Sequence, residues 1–347
     1  LKVFCDRHHG DLTYSLKLLF ENRLGHEIYF PIGLDWFTSG FWRIAEPYGN
    51  AQDTINQYLS TTDTVFDQYK SINGNYKLED DIYHVFDPSH NDWIKCITFE
   101  KFKQMQFDIV ISSVPAHDET YSQLIREFMP KAKHIVQMGN IGQTTPYKNV
   151  MHTIPFSSSP NQNTVYYHQE IDPIFFSYPP TYPQKKRIYS FVNLLPYPEI
   201  WDEYFLNLPE FEMKAFGAGC PDGSVSGAHG IAPLMQEATF GWYVKPFGGF
   251  GHNFMNWCSS GRPLILKGSL NEDYALADPS ILALYEDGVT CIDLDKRNIE
   301  DNIKMIREFT EPEKNMAMGK ELQKRFKEVV NYDEDEIKIR NFLNNLL

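Results

Sequence analysis

The residues best suited to chemistry begin at Lys245, in the run Lys245-Pro-Phe-Gly-Gly-Phe-Gly-His-Asn-Phe-Met-Asn256, followed by Gly261-Arg-Pro-Leu-Ile-Leu266. The apolar pair Tyr243-Val244 precedes the glycines, and Pro263 restarts extended chain after Gly261, so the run reads as strand, glycine turn, helix (253–260) and strand. Glycines 248, 249 and 251 let a backbone approach a ligand closely. The helix that follows presents free N–H groups and the positive end of its dipole to an anion. Lys245 and Arg262 add positive charge. The chemistry is that of holding phosphate; the plainer reading is a tight strand-to-helix turn of the kind most α/β proteins contain.

A second set of candidates lies in the first half. His8, His9 and Asp11 follow the first apolar segment, and His117 follows the apolar run Phe107–Pro115. An imidazole or carboxylate at a strand end is placed to take a proton from, or hydrogen-bond to, a reacting group. Their plainer roles are those of polar loop residues that satisfy backbone groups. A metal site at His8, His9 and Asp11 is not expected, because no fourth ligand is visible and adjacent histidines point apart on extended chain.

The elements that must carry these residues alternate. Leu1–Phe4, His26–Ile32, Asp81–Phe86, Phe107–Pro115, His134–Met138 and Val150–Pro155 read as strands, with helices at Leu12–Arg23, Thr98–Met105 and Thr120–Met129. The aromatic-rich stretch from Gly33 to Lys77 reads as a long functional or covering loop, and Asn161–Ile174 as irregular extended chain. Ser177–Arg187, with three prolines and a basic trio, has the composition of a linker. A second alternating series follows: strands at Ile188–Leu195, Phe211–Phe216, Phe240–Val244 and Gly288–Leu294, and helices at Pro198–Leu206, Ile231–Glu237, Ile299–Phe309, Glu313–Val330 and Asp333–Leu346. The expected fold class is α/β, two doubly wound Rossmann-like domains facing across a cleft. The expected domains are 1–178, 187–330 and a last helix, 331–347, returning to the first domain through Ile337, Ile339, Phe342, Leu343 and Leu346.

The bulk numbers fit. At 347 residues the chain suits two domains of ordinary size. A net charge of −14 argues against broad, nonspecific attraction to nucleic acid or anionic membrane. No apolar run is long enough to span a bilayer, and the five cysteines are dispersed without a C-x-x-C spacing. A cytoplasmic protein without disulfides or structural zinc is expected.

The C-terminal half resembles the retaining glycosyltransferases of family 4, which have the two-domain GT-B fold. Their donor site carries a Glu-Gly-Phe-Gly turn, a helix with a second Glu, then Gly, any residue and Pro. Gly248-Gly-Phe-Gly251, Asn256 and Gly261-Arg-Pro263 keep that register without a gap. Lys214-Ala-Phe-Gly-Ala-Gly219 looks like the family's strand and Gly-x-Gly turn, and Gly227-Ala-His-Gly230 like its base-contacting loop. The resemblance implies a hexosyltransferase, in the domain 187–330 binding a nucleotide-diphosphate sugar, a UDP- or GDP-sugar, as co-substrate, with no further cofactor and no metal. The amides of Gly249, Phe250, Gly251, His252 and Asn253 would hold the diphosphate, with charge from Lys245 or Arg262, His229 or Gly230 near the base and Asn256 on the ribose. It also implies that His117 contacts the sugar, and that the acceptor sits on the N-terminal domain near His9 and Asp11. Gly248 and Asn256 replace the family's two Glu residues, so a nucleotide-sugar 2-epimerase and a non-catalytic nucleotide- or carbohydrate-binding protein stand as alternatives. The acceptor is left open among a glycan, a protein, a lipid, a small molecule and modified DNA.

Overall fold

The computed structural model describes residues 1–7, 10–32, 76–87, 89–113, 117–139, 143–154, 161–177, 181–225, 227–246 and 249–347. His8, His9, the stretch 33–75, Pro115 and Gly248 lie outside the described residues. The chain divides into two compact units, 1–170 with 332–347, and 171–331.

In the first unit the apolar segments pair as β1 (Lys2–Cys5), β2 (Glu27–Pro31), β6 (Ile109–Ser112), β7 (Lys133–Met138), β8 (Asn149–His152) and β9 (Asn163–Tyr166), all parallel. With β3 (Tyr76–Glu79), β4 (Ile82–Asp87) and β5 (Asp92–Ile97) at one edge, the sheet order is β3-β4-β5-β2-β1-β6-β7-β8-β9. Strand residues alternate between two buried faces. Val3, Cys5, Ile28, Phe30, Ile109 and Ile111 face one core, and Phe4, Tyr29 and Val110 the other. Both faces being covered explains why these strands read as unbroken apolar runs.

Helix α1 (Gly10–Lys17) passes directly into a wider π turn, Leu18–Arg23, where the single expected helix Leu12–Arg23 was read. Strands β3, β4 and β5 form an antiparallel edge of which the sequence reading gave only β4. Helices α2 (Phe99–Gln104) and α3 (Asp118–Phe128) cover the face of Phe4 and Val110.

The second unit is an all-parallel sheet, β11-β10-β12-β13-β14, built from β10 (Arg187–Phe191), β11 (Glu212–Phe216), β12 (Phe240–Tyr243), β13 (Leu264–Leu266) and β14 (Cys291–Asp293). It begins with α4 (Pro173–Phe176), capped by Asp172 and starting at the end of the segment 161–174 expected to be irregular. Helices α5 (Pro198–Asn207), α6 (Gly227–Glu237), α7 (His252–Ser259), α8 (Glu272–Ala277), α9 (Ile299–Glu308) and α10 (Pro312–Val329) follow in order. Helix α6 starts four residues earlier than expected, because Ala228, Ile231, Ala232 and Met235 make one buried stripe; Gly227 to Gly230 is its first turn and not a loop. No helix among the described residues is long and apolar enough to cross a membrane.

The last helix, α11 (Tyr332–Leu346), belongs to the first unit and packs on its sheet through Ile339, Phe342 and Leu343, with Leu346 partly buried. Ile337 is exposed instead of buried. Two residues before Ile339 it lies about 200° round the helix, off the i, i+3, i+4, i+7 stripe. Arg23 holds the start of this helix, bonding Glu170 on both oxygens (2.9 and 2.8 Å) and Asp333 at 2.9 Å.

Candidate functional site

Each sheet has one place where the chain reverses the direction in which it adds strands, and ligands of open α/β sheets sit outside the carboxyl ends of the strands there. In the second unit the reversal falls between β10 and β12. Lys245 stands two residues past β12, and the Asn253 side chain donates to the carbonyl of Phe191, the last residue of β10, at 2.7 Å. The glycine turn and the start of α7 are thereby fixed at the reversal.

The turn is shaped by what surrounds it. Gly249 has φ +37°, and a Cβ there would lie 1.9 Å from the Tyr274 ring. Phe250 is buried edge-on against Phe254 and Tyr274. Gly251 is the N-cap of α7, which starts with no side-chain cap. First-turn amides have no acceptor within their own helix, so this end offers donors and the positive end of a dipole. On the strand beside it, Gly217 (φ +145°) passes so close to β10's continuation that a Cβ would sit 1.6 Å from the Val192 carbonyl oxygen.

Two polar side chains here stand unmatched. Lys245 is half-buried and has no carboxylate or hydrogen-bond partner among the described residues; its ammonium lies 5.8 Å from the Tyr243 ring centroid. Burial holds its pKa below the ordinary 10.5. Asn256, 6% exposed, has a side chain with no hydrogen bond among the described residues. Two such polar ends, held against the protein without a partner among the described residues beside a glycine turn, are the pattern of a ligand site.

The other donor candidates divide. Phe250 and Asn253 have side chains committed to the fold, which leaves only their backbone amides for a ligand. His252 is the first residue of α7, and His229 is exposed on α6, edge-on to Phe175 at 6.4 Å. Arg262 departs from the expectation. It is 1% exposed, and its guanidinium donates to the Thr181 carbonyl and to the Gln236 carbonyl at 2.6 Å. Its charge is spent within the protein, fastening the chain before β10 and the end of α6.

In the first unit the reversal falls between β1 and β6. His117 is there, 2% exposed at the N-cap of α3, and its Nδ1 bonds Asp6, the residue that follows β1. Asp6 is the functional candidate that the sequence reading missed. Asp11 is placed apart from this pair, in the first turn of α1 with His90 Nε2 at 3.6 Å, and His90 stacks on Tyr14 at 4.0 Å. Beyond His117, Asp118 accepts from Ser112 (2.6 Å) and Thr145 (3.2 Å), and burial pushes its pKa up to about 6. Burial likewise takes His134, whose Nε2 is 3.0 Å from Ser112 Oγ, down to about 4.

No family model and no curated protein matches this sequence. Solved structures do. An α-glucosyltransferase in complex with UDP and a 13-mer DNA containing an HMU base aligns over 99% of this chain and 99% of its own, at TM-score 0.63 and 9% identity. TarM of S. aureus, as a variant in complex with fondaparinux, α-GlcNAc-glycerol and UDP, aligns over 99% of both chains at 0.58 and 11%. Sucrose-phosphate synthase from Thermosynechococcus elongatus aligns over 99% and 98% at 0.55 and 10%. Likeness at such identities is likeness of fold. The chain has the α/β architecture with parallel sheets of the GT-B glycosyltransferases.

Proposed function

We propose that this protein is a glycosyltransferase that takes its sugar from a nucleotide-diphosphate sugar, a UDP-sugar before a GDP-sugar. The observation that carries the reading is the unmatched pair, Lys245 and Asn256, on either side of an uncapped helix start at a strand-order reversal. A half-buried ammonium without a carboxylate is costly unless an anion completes it. A diphosphate does so, and the amides of Gly249 to Asn253 add donors on the same side. Two solved structures of the same fold hold UDP, which favours uridine as the base.

In this reading departure of the nucleoside diphosphate is assisted by Lys245 and the N-terminus of α7, electrostatic groups set in place before the charge develops. No metal ion is called for. The Asn256 amide oxygen accepts from the ribose hydroxyls in place of a carboxylate. His117 contacts the transferred sugar or the acceptor hydroxyl, and the acceptor belongs to the first unit. The motif register resembles that of retaining enzymes, but Asn256 stands where they carry the second Glu, so anomeric retention or inversion is left to product analysis, with His117 as base in the inverting case. A cytoplasmic location agrees with the unpaired state of all five cysteines.

Calorimetry with UDP, GDP, ADP and their glucose conjugates tests the binding half. Tight binding of one diphosphate is expected, with Gly251→Asp abolishing it, and binding to none of them would end the proposal. Mass spectrometry of the bound sugar nucleotide, with and without pooled acceptors, separates the outcomes. Acceptor-dependent release of the nucleoside diphosphate marks transfer, mass-neutral conversion an epimerase, and recovery of intact donor a binding protein.

A further inference from the structure

We infer that Asp6 is a positioning residue that holds His117 in the Nδ1-protonated tautomer and so leaves the Nε2 lone pair as the ring's accepting group. The consequence for turnover rests on the glycosyltransferase reading; the tautomer does not.

Asp6 is fixed from every side. Its amide donates to the Ile111 carbonyl at 2.9 Å, and its carbonyl accepts from Ser113 Oγ at 3.1 Å. Oδ1 accepts from the Arg7 amide at 3.0 Å and from the Tyr121 hydroxyl at 2.9 Å; Oδ2 meets His117 Nδ1. Both side chains are almost fully buried, and among the described residues His117 is the one basic side chain in contact with the Asp6 carboxylate. An ionised carboxylate is acceptor-only, so the proton in the contact belongs to Nδ1, and Nε2 of the neutral ring is then an acceptor. The carboxylate also stabilises the imidazolium formed if Nε2 takes a proton from an acceptor hydroxyl.

The same contacts dictate what Asp6→Asn does. The Arg7 amide can only donate, so the oxygen of the new side chain must stay at the Oδ1 position. Its NH2 group then faces His117 and donates to Nδ1, which drives the ring proton to Nε2. Shape is kept and the tautomer is inverted.

Long-range ¹H–¹⁵N correlation of the histidine rings of the whole protein at pH 7.5 reads this directly, with His117 identified by the signals lost in His117→Ala. Nδ1–H is expected in the wild type and Nε2–H in Asp6→Asn. In turnover, Asp6→Asn is expected to lower kcat about 100-fold or more. KM for the donor stays within about twofold, and the loss vanishes in the His117→Ala background. An Nε2–H ring in the wild type overturns the inference, as does an Asp6→Asn penalty that persists without His117. The wild-type spectrum decides even where Asp6→Asn fails to fold. An Nδ1–H ring in a protein that turns over no sugar nucleotide supports this inference and counts against the functional reading instead.

Discussion

At the end of β12 a lysine is half-buried with no carboxylate partner among the described residues, beside a helix that starts without a side-chain cap. At the end of β1 a carboxylate and an imidazole, both almost wholly buried, satisfy one another. The two places are equivalent in topology, since each is where its sheet reverses strand order. They are opposite in electrostatics. Charge left unmatched among the described residues suits a ligand, so under the proposed function the second unit binds. Charge matched internally fixes the orientation of one ring, so under the proposed function the first unit holds a reacting group ready.

The comparison breaks most visibly at His117. His117→Ala should lower kcat by about 10²–10⁴, the range of a positioned acid or base, and leave the Kd of the nucleoside diphosphate unchanged. Single-turnover kinetics beside calorimetry check both halves. A loss of UDP affinity as large as the loss of kcat would erase the division of labour.

Next in size is Lys245. Lys245→Met should weaken diphosphate binding about 10–100-fold, the worth of one charge-assisted hydrogen bond, without lowering Tm, because no partner is orphaned. Burial lowers this lysine's pKa, so wild-type affinity should fall as pH rises through a value below 10.5, whereas Lys245→Met should show no such fall. Arg262→Met makes the complementary case. It strips donors from the Thr181 and Gln236 carbonyls and should cost about 1–3 kcal/mol of stability with Kd untouched. Asn256→Ala ranks lower, at about 5–10-fold in Kd and nothing in Tm, since its side chain bonds nothing among the described residues.

Arg262 also shows where the sequence stopped being legible. Its place in the glycine-turn register made it look like an anion's counter-charge, but what decides its role is Thr181 and Gln236, 81 and 26 residues away. Asp6 failed for the same reason in reverse. One carboxylate after an apolar strand has no local signal, and its partner lies 111 residues on. Strand and helix periodicity, which is local, did carry the two alternating series, and the glycine turn with its helix was found within one residue, α7 beginning at His252 rather than Asn253. The antiparallel edge was lost because β3 is short and mostly exposed, and is joined to β4 through Asp80 and Asp81 in left-handed conformations that asparagine or glycine would have announced better.

The smallest effect belongs to Asp118, which sharpens the comparison within the first unit itself. Asp6 meets an imidazole; Asp118, also buried, meets the hydroxyls of Ser112 and Thr145, and burial pushes its pKa up to about 6 against the opposing pull of those two hydroxyls. A carboxyl whose folded pKa lies above its ordinary 3.8 lends stability fully present below 3.8 and lost as pH rises through about 6. Asp118→Asn should therefore gain stability relative to the wild type on going from pH 4 to pH 8. The shift sets an upper bound near 3 kcal/mol, and relaxation of the surroundings brings the expected gain to about 1 kcal/mol. Urea unfolding at the two pH values measures it. A gain at pH 4 as large as at pH 8 would mean that Asp118 is ionised throughout, and that the hydroxyls of Ser112 and Thr145 outweigh burial at this end of α3.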